Sequence, residues 1–420
     1  MNEKCEIKGI WFLPSSPEIE VGGILTYEPG TIIKLDLIGD LMQRSDFGDY
    51  FGDSNHKVIY GITSTGTKIS LYECYGSFSI TTYAVPLTSY SASSFIEGKH
   101  QQNPLEAVFD QIEVDFLQLE RWLGKDAYKM EHLMVTSNFY HTTIEYNPDC
   151  SFNIKYQIED DFELELNLQA LAQRTNGVCI IKNLSTATIS TNDQQLSIWE
   201  LLRRMEVFRS FLSLGLLQAV PYNYIKVREK SSGEFFNYVF LERGVRYDIK
   251  DKGFLYNFGR FETNLENVLK SWYDSTQDMF PIRVHLLEAI LERPNFRSTD
   301  FMILAFAIEG FYHRFLKNSG AKTGNLIAAI SNIQRIFKDL SFISRIKVDA
   351  HEVNDSRNYY AHLYQKDSGK KILSGIELLK MSEKIKVLLV LSMLKQMGLE
   401  NAKIETLVAN SELLKTVNSF

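Results

Sequence analysis

FMILAFAIEGFYHRF, residues 301–315, decides how the second half of this 420-residue chain folds. Its apolar residues recur on successive helical turns and carry a single carboxylate, Glu309. The apolar run that opens it falls far short of the roughly 20 residues a membrane helix needs. It therefore reads as a helix of a bundle core. A carboxylate on such a face is costly unless paired. Glu309 can pair locally with His313, at i,i+4, or with a group on another helix. From about Phe261 the same character holds to the C-terminus. The periodicity predicts helices over 265–275, 281–292, 300–317, 323–340, 349–365, 376–397 and 403–417. Pro281 suits a first helical turn, and Ser298, Thr299 and Asp300 form an N-cap cluster.

Upstream the period shortens. Short β-rich runs over 21–27, 31–38, 58–62, 68–75 and 77–83 are bounded by turn residues such as Gly22-Gly23, Glu28-Pro29-Gly30 and Gly39-Asp40. Ile32, Leu35 and Leu37 partly alternate with Lys34 and Asp36, as in a half-buried strand. Residues 40–57 read as a polar loop. Such closely spaced strands suggest a sandwich or a barrel. Residues 104–147 are mixed, with a helical patch at 117–123, and strands return over 151–158, 163–168 and 178–189. An amphipathic helix over 195–219 is stopped by Pro221, and 224–228 with 235–241 form a hairpin. The expected class is α+β, with a β-rich N-terminal domain (1–148), a mixed middle domain (149–260) and an all-α C-terminal bundle (261–420).

The chain has 45 Lys+Arg against 52 Asp+Glu, a formal charge of −7, with 45% apolar and 23% charged residues. These values exclude disorder and collagen as its main theme. Residues 281–420 carry 20 basic and 14 acidic residues (+6), whereas residues 1–280 carry 25 and 38 (−13). A basic back half can meet a polyanion, though a charge of this size is also ordinary. The four cysteines, Cys5, Cys74, Cys150 and Cys179, are scattered. That pattern supports neither a zinc site nor a disulfide framework. Glu3, Lys4, Glu6 and Lys8 break any secretory h-region. A cytoplasmic protein with reduced thiols, and with no membrane partner, is expected.

The chemistry concentrates in Asp355-Ser356-Arg357-Asn358-Tyr359-Tyr360-Ala361-His362-Leu363. Asn358 and His362 are four apart and share a helical face. Arg357 sits roughly 100° around from Asn358, close enough for its long side chain to reach the same space. A permanent cation, an amide and an imidazole suit RNA cleavage without a metal. The 2′-hydroxyl must lose a proton, the 5′-oxygen must gain one, and the phosphorane between them carries extra negative charge. Histidine moves protons near neutral pH. Arginine supplies a fixed charge and a planar donor fork. The plain alternative is a helix-end histidine and a surface ion-pair arginine. Tyr359, Tyr360 and Tyr364 can stack on unpaired bases or pack on the core. The stretch Gly61–Lys68 lacks the ending of a phosphate loop and reads as a hairpin turn. Glu159, Asp160, Asp161 and Glu163 read as a solvated acidic turn.

Arg357-Asn358-x-x-x-His362, with Glu309 upstream in an Ile-Glu-Gly-Phe-Tyr segment, resembles the HEPN superfamily of helical RNases. At the other end, residues 8–14 (KGIWFLP), 22–27 (GGILTY) and 35–39 (LDLIG) resemble the N-terminal region of ApeA-type anti-phage proteins. The likeness covers both ends of the chain. It implies that Arg357, His362, Asn358 and Glu309 are catalytic, with no metal and no cofactor. It further implies a homodimer through the HEPN domain, with two motifs sharing one composite site. RNA, above all transfer RNA, is the implied target, abortive anti-phage defence the outcome, and a phage-derived trigger sensed by the N-terminal region the switch. Dimerisation has a physical rationale, since one helix offers one histidine where the reaction needs a base and an acid. Apolar surface over 376–390 can serve that interface or the core. The rival readings are a non-catalytic HEPN module that grips nucleotide or RNA through Arg357, and a ligand-binding β-scaffold with a structural helical tail.

Overall fold

The computed structural model describes residues 4–42, 55–79, 87–136, 139–146, 151–175, 178–242, 253–261, 263–290, 296–317, 325–363 and 369–419. The chain begins with β1 (Cys5–Leu13), β2 (Ser16–Glu28), β3 (Ile32–Ile38), β4 (His56–Thr63), β5 (Lys68–Ser79) and β6 (Leu87–Ser91). They pair antiparallel in the order β5-β4-β1-β2-β3-β6, and β6 returns to β5, so the six close into a barrel. Alternation drives this closure. Ile33, Leu35 and Leu37 face the interior, while Lys34 and Asp36 between them are only partly covered. Trp11, Leu25, Ile59, Leu71 and Tyr90 fill the barrel and are fully buried. Burying a large apolar side chain contributes about 1.5–3 kcal/mol. Gly61 faces Trp11, where an added Cβ would lie 2.4 Å from the indole ring. Only a residue without a side chain lets the indole in.

The sheet continues outward from β5. It runs through β7 (Ser94–Glu97), β15 (Phe235–Phe240), β14 (Tyr222–Glu229), β8 (Phe109–Phe116), β13 (Val178–Thr191), β12 (Phe162–Thr175) and β11 (Phe152–Glu159). β9 (Tyr128–Thr136) and β10 (Phe139–Tyr146) form a separate two-stranded ribbon. The short α1 (Leu119–Leu123) and the long α2 (Ile198–Leu216) pack on this outer sheet. Ser197 and Glu200 close a capping box at the start of α2. Phe208 and Phe211 of α2 meet Trp122 at ring distances of 6.3 and 5.9 Å. Phe211 also meets Trp272, at 5.8 Å, on α4 (Leu265–Asp274), which follows the short α3 (Phe258–Phe261).

The remaining chain is helical: α5 (Thr276–Ile290), α6 (Ser298–Phe311), a π-helical turn (Tyr312–Leu316), α7 (Leu326–Ile336), α8 (Ala350–His362), α9 (Gly375–Gln396), α10 (Asn401–Val408) and α11 (Glu412–Asn418). α6 is central and touches α5, α7, α8 and α9. Phe301, Leu304, Ile308 and Phe311 are its buried stripe. One apolar core runs from the outer sheet into these helices. The fold is therefore α+β, a β-rich N-terminal region followed by an all-α bundle. Among the described residues, no helix is long and apolar enough to cross a membrane.

Several sequence expectations need correction. The strand expected to begin at Ser77 is the end of β5, which runs unbroken to Ser79; residues 80–83 lie outside the described part. Most of the 40–57 loop lies outside it as well. α5 begins at Thr276, so Pro281 sits inside the helix rather than at its start. The helix expected over 403–417 is two helices, separated around Ser411, whose hydroxyl donates to Val408 O at 2.8 Å.

Candidate active site

Asp349 starts α8, accepting from the backbone amides of His351 and Glu352 at 2.9 and 3.1 Å. Only Ala350, Val353 and Ser356 of its 13 residues are buried. They form one stripe at i, i+3, i+6, which leaves the rest of the helix for polar work. Tyr360 extends the stripe. Its hydroxyl donates to Leu373 O at 2.9 Å, while Leu373 N donates to Ser356 Oγ at 2.9 Å. Both backbone groups of one residue thus clamp α8 where apolar burial is thin.

One position around from this clamp, Arg357 reaches across to α6. Its Nη2 donates to Glu309 Oε2 at 2.7 Å, and its Nη1 donates to Asn358 Oδ1 at 3.0 Å. The two charged side chains are 19% and 20% exposed. Charge-assisted bonds of this length are the strong ones. Guanidinium carries five N–H donors, and two are engaged here. Nε is buried without a partner. Glu309 thus takes the cross-bundle option; among the described residues it pairs with Arg357 and not with His313. His313 is exposed on the π-helical turn, its ring 5.8 Å from that of Tyr312. Such turns recur next to functional sites.

His362 is the last residue of α8 and is exposed. Leu363 follows with φ +53° in the left-handed region. A non-glycine residue held there stores on the order of 1–3 kcal/mol, and it ends the helix. Tyr359 lies edge-on to Tyr360 at 5.1 Å, and Tyr360 lies edge-on to Phe301 at 6.5 Å. Tyr360 is thus a packing residue as well as a neighbour of the motif. Tyr364 lies outside the described residues.

Sequence reasoning missed Phe306. Its ring stands 5.8 Å from Arg357 Cζ and is 48% exposed. The available signal was its position three residues before Glu309, hence on the same helical face. The apolar stretch 376–390 goes mostly to the core through Leu378, Ile385 and Leu388, while Ile376 is 55% exposed. Among the described residues, no group of three or more His, Cys, Asp or Glu could hold a metal ion. The arrangement can hold a phosphate-sized anion against a fixed cation, with an imidazole on the same helix.

Comparison with known families agrees with both halves. The family model described as ApeA N-terminal domain 1 matches residues 6–272, and that described as Apea-like HEPN matches residues 302–403. Searches of curated proteins and of solved structures returned no match. The second family match runs from α6 into α10 and contains Glu309, Arg357, Asn358 and His362. With a strand-rich region and a helical bundle each recognised by the model proper to it, the chain belongs to the ApeA-like HEPN family of anti-phage proteins.

Proposed function

We propose that the helical half is a metal-independent endoribonuclease that cuts RNA, with transfer RNA as its target, and shuts down translation in an infected cell. The observation that carries this reading is Arg357, anchored by Glu309 at 2.7 Å with donors to spare, on the same helix as the exposed His362. In the proposed reaction the 2′-hydroxyl of a ribose attacks the adjacent phosphorus. An imidazole takes the hydroxyl proton. The spare Arg357 donors meet the phosphorane oxygens, whose negative charge grows toward the transition state. The bond to the 5′-oxygen then breaks, and that oxygen receives a proton. The products are a 2′,3′-cyclic phosphate and a 5′-hydroxyl.

In this scheme Asn358 and Glu309 fix the guanidinium plane, so its donors need no reordering during reaction. A second copy of the chain supplies the second His362 and thereby the acid that complements the base. The acidic, β-rich front restrains the helical half until a phage-derived trigger is met.

The test is cleavage of end-labelled transfer RNA by the purified full chain, with and without EDTA. Cleavage that survives EDTA and disappears in His362→Ala, with RNA binding retained, is the expected result. RNA bound equally by parent and His362→Ala, and cut by neither, would instead establish the non-catalytic module.

A further inference from the structure

The surface around Arg357 carries an aromatic ring that the proposed chemistry leaves unused. Between Thr299 and the end of α6, Phe306 is the one exposed residue, at 48%. Exposure alone says little, since single apolar side chains are common on protein surfaces. The place of this ring is what distinguishes it.

α6 and α8 run antiparallel. Glu309 meets Arg357 at 2.7 Å, and Phe301 meets Tyr360 at a ring distance of 6.5 Å, so moving back along α6 is moving forward along α8. Phe306 lies three residues before Glu309, about 4.5 Å along the axis, and His362 lies five residues after Arg357, about 7.5 Å. Both displacements point the same way from the ion pair. The Phe306 ring therefore stands on the His362 side of Arg357, 5.8 Å from its Cζ.

The tyrosines of α8 are less free to meet a ligand. Tyr360 packs edge-on to Phe301 and donates its hydroxyl to Leu373 O at 2.9 Å. Tyr359 is only partly exposed, edge-on to Tyr360 at 5.1 Å. Among the described residues of α6 and α8, no other large apolar side chain is exposed. One ring beside a guanidinium, an amide and an imidazole does not make the contiguous apolar patch of a protein interface. It does suit a nucleobase, which is a flat π-surface joined to an anion.

We propose that Phe306 stacks on an unpaired base of the RNA, next to the phosphate that Arg357 holds. The inference rests on the reading of this surface as an RNA site, and not on cleavage there. A base seated on the ring carries its sugar into the space between Arg357 and His362. A ring without hydrogen-bonding groups reads the face of a base and tolerates any sequence. Within a duplex both faces of a base are covered by its neighbours, so the contact selects loops, bulges and ends.

The test is fluorescence anisotropy on the full chain with three probes of equal length that lack a free 2′-hydroxyl. They are an unpaired 2′-O-methyl strand of mixed sequence, that strand annealed to its complement, and an abasic phosphodiester chain. Phe306→Leu keeps an apolar side chain at the surface but removes the π-face. It should weaken the unpaired strand at least about fivefold and the other two less than about twofold, as when one stacking contact is lost. Phe306→Trp should keep the parent pattern. A uniform loss across the probes, no loss with any of them, or a loss that Phe306→Trp shares overturns the proposal. A changed oligomeric state of Phe306→Leu in sedimentation also overturns it, and assigns the ring to a contact between copies. Binding of no probe by the parent removes the RNA reading together with the inference. The expected pattern without cleavage of transfer RNA supports the inference and removes the nuclease reading alone.

Discussion

Arg209 in the strand-rich half and Arg357 in the helical half are covered to the same degree, with side chains 20% and 19% exposed. What surrounds them differs. Arg209 sits over the Tyr222 ring between Glu206 and Glu242. Burial works against its charge, yet Tyr222, Glu206 and Glu242 outweigh that and push its pKa up. Arg357 has one carboxylate, one neutral amide and the half-exposed Phe306. A guanidinium held between two carboxylates is a strut whose charge is more than compensated, with little attraction left for an anion. One anchored by a single carboxylate and a neutral amide keeps its position with less of its charge compensated. The pair therefore contrasts an arginine held between two carboxylates with one held by a single carboxylate, at nearly constant burial.

The comparison breaks if substituting Arg357 behaves like substituting Arg209. Arg357→Ala is expected to lower RNA cleavage by about 10²–10³-fold, as when a donor to a developing oxyanion is removed. Its melting temperature should change far less than that loss of rate suggests. Arg209→Met should do the reverse. It strands the nine-tenths buried carboxylate of Glu242, while the exposed Glu206 keeps the Tyr222 hydroxyl, and leaving a buried charge without its partner costs about 3–5 kcal/mol. Urea unfolding measures the loss, and cleavage per folded molecule should stay near the parent value. If Arg209→Met proves as stable as the parent, its role as a strut is wrong.

Glu309→Gln sharpens the contrast. The amide oxygen can still accept from Arg357 Nη2, so geometry survives while the charge that holds it is lost. The expected effect is about tenfold on cleavage, the size of one charge-assisted bond weakened to a neutral one. Restoration of full activity by Asp at this position would argue that position matters less than charge.

How far the sequence reaches is visible in the same residues. The alternation around Lys34 and Asp36 marks a strand with one buried face, and β3 has it. Barrel closure through β5 and β6 was not legible, because the pairing of Tyr75 with Ser91 is a matter of register that no local spacing reveals. The residue types around Arg357 could be read from spacing along one helix. Its ion pair with Glu309, 48 residues away, could be narrowed only to alternatives, because helix packing decides which side chain an acid meets. Nothing in the sequence announced the Arg209 and Glu242 cluster, whose members lie 33 residues apart on a helix and a strand end. The two-helix C-terminus escaped for a different reason. Its apolar period continues across Ser411, and only the local hydrogen bond to Val408 O breaks the helix.

Arg283 extends the comparison to a guanidinium that pairs with no carboxylate among the described residues, and here the smallest loss is expected. It is 4% exposed, stacks over Trp272 at 3.7 Å, and donates to Trp272 O, to Ser275 Oγ at 2.8 Å and to Thr276 Oγ1 at 3.0 Å. Burial pushes its pKa down to about 9. Removing it orphans nothing, since Ser275 Oγ keeps Ser271 O at 2.8 Å and Thr276 Oγ1 keeps Trp272 O at 3.1 Å. Arg283→Met should therefore lose no more than about 1 kcal/mol, in line with exchanges of buried charge for apolar volume. The pH dependence has a definite sign. The unfolded chain holds this proton more tightly than the folded one, so raising the pH through about 9 favours the folded parent. Any advantage of Arg283→Met should be fullest at neutral pH and narrow above that point, measured as the difference in unfolding free energy between the two proteins. A difference that widens with pH would mean that the folded state holds the charge as comfortably as water does, and the ranking of the three arginines would fall with it.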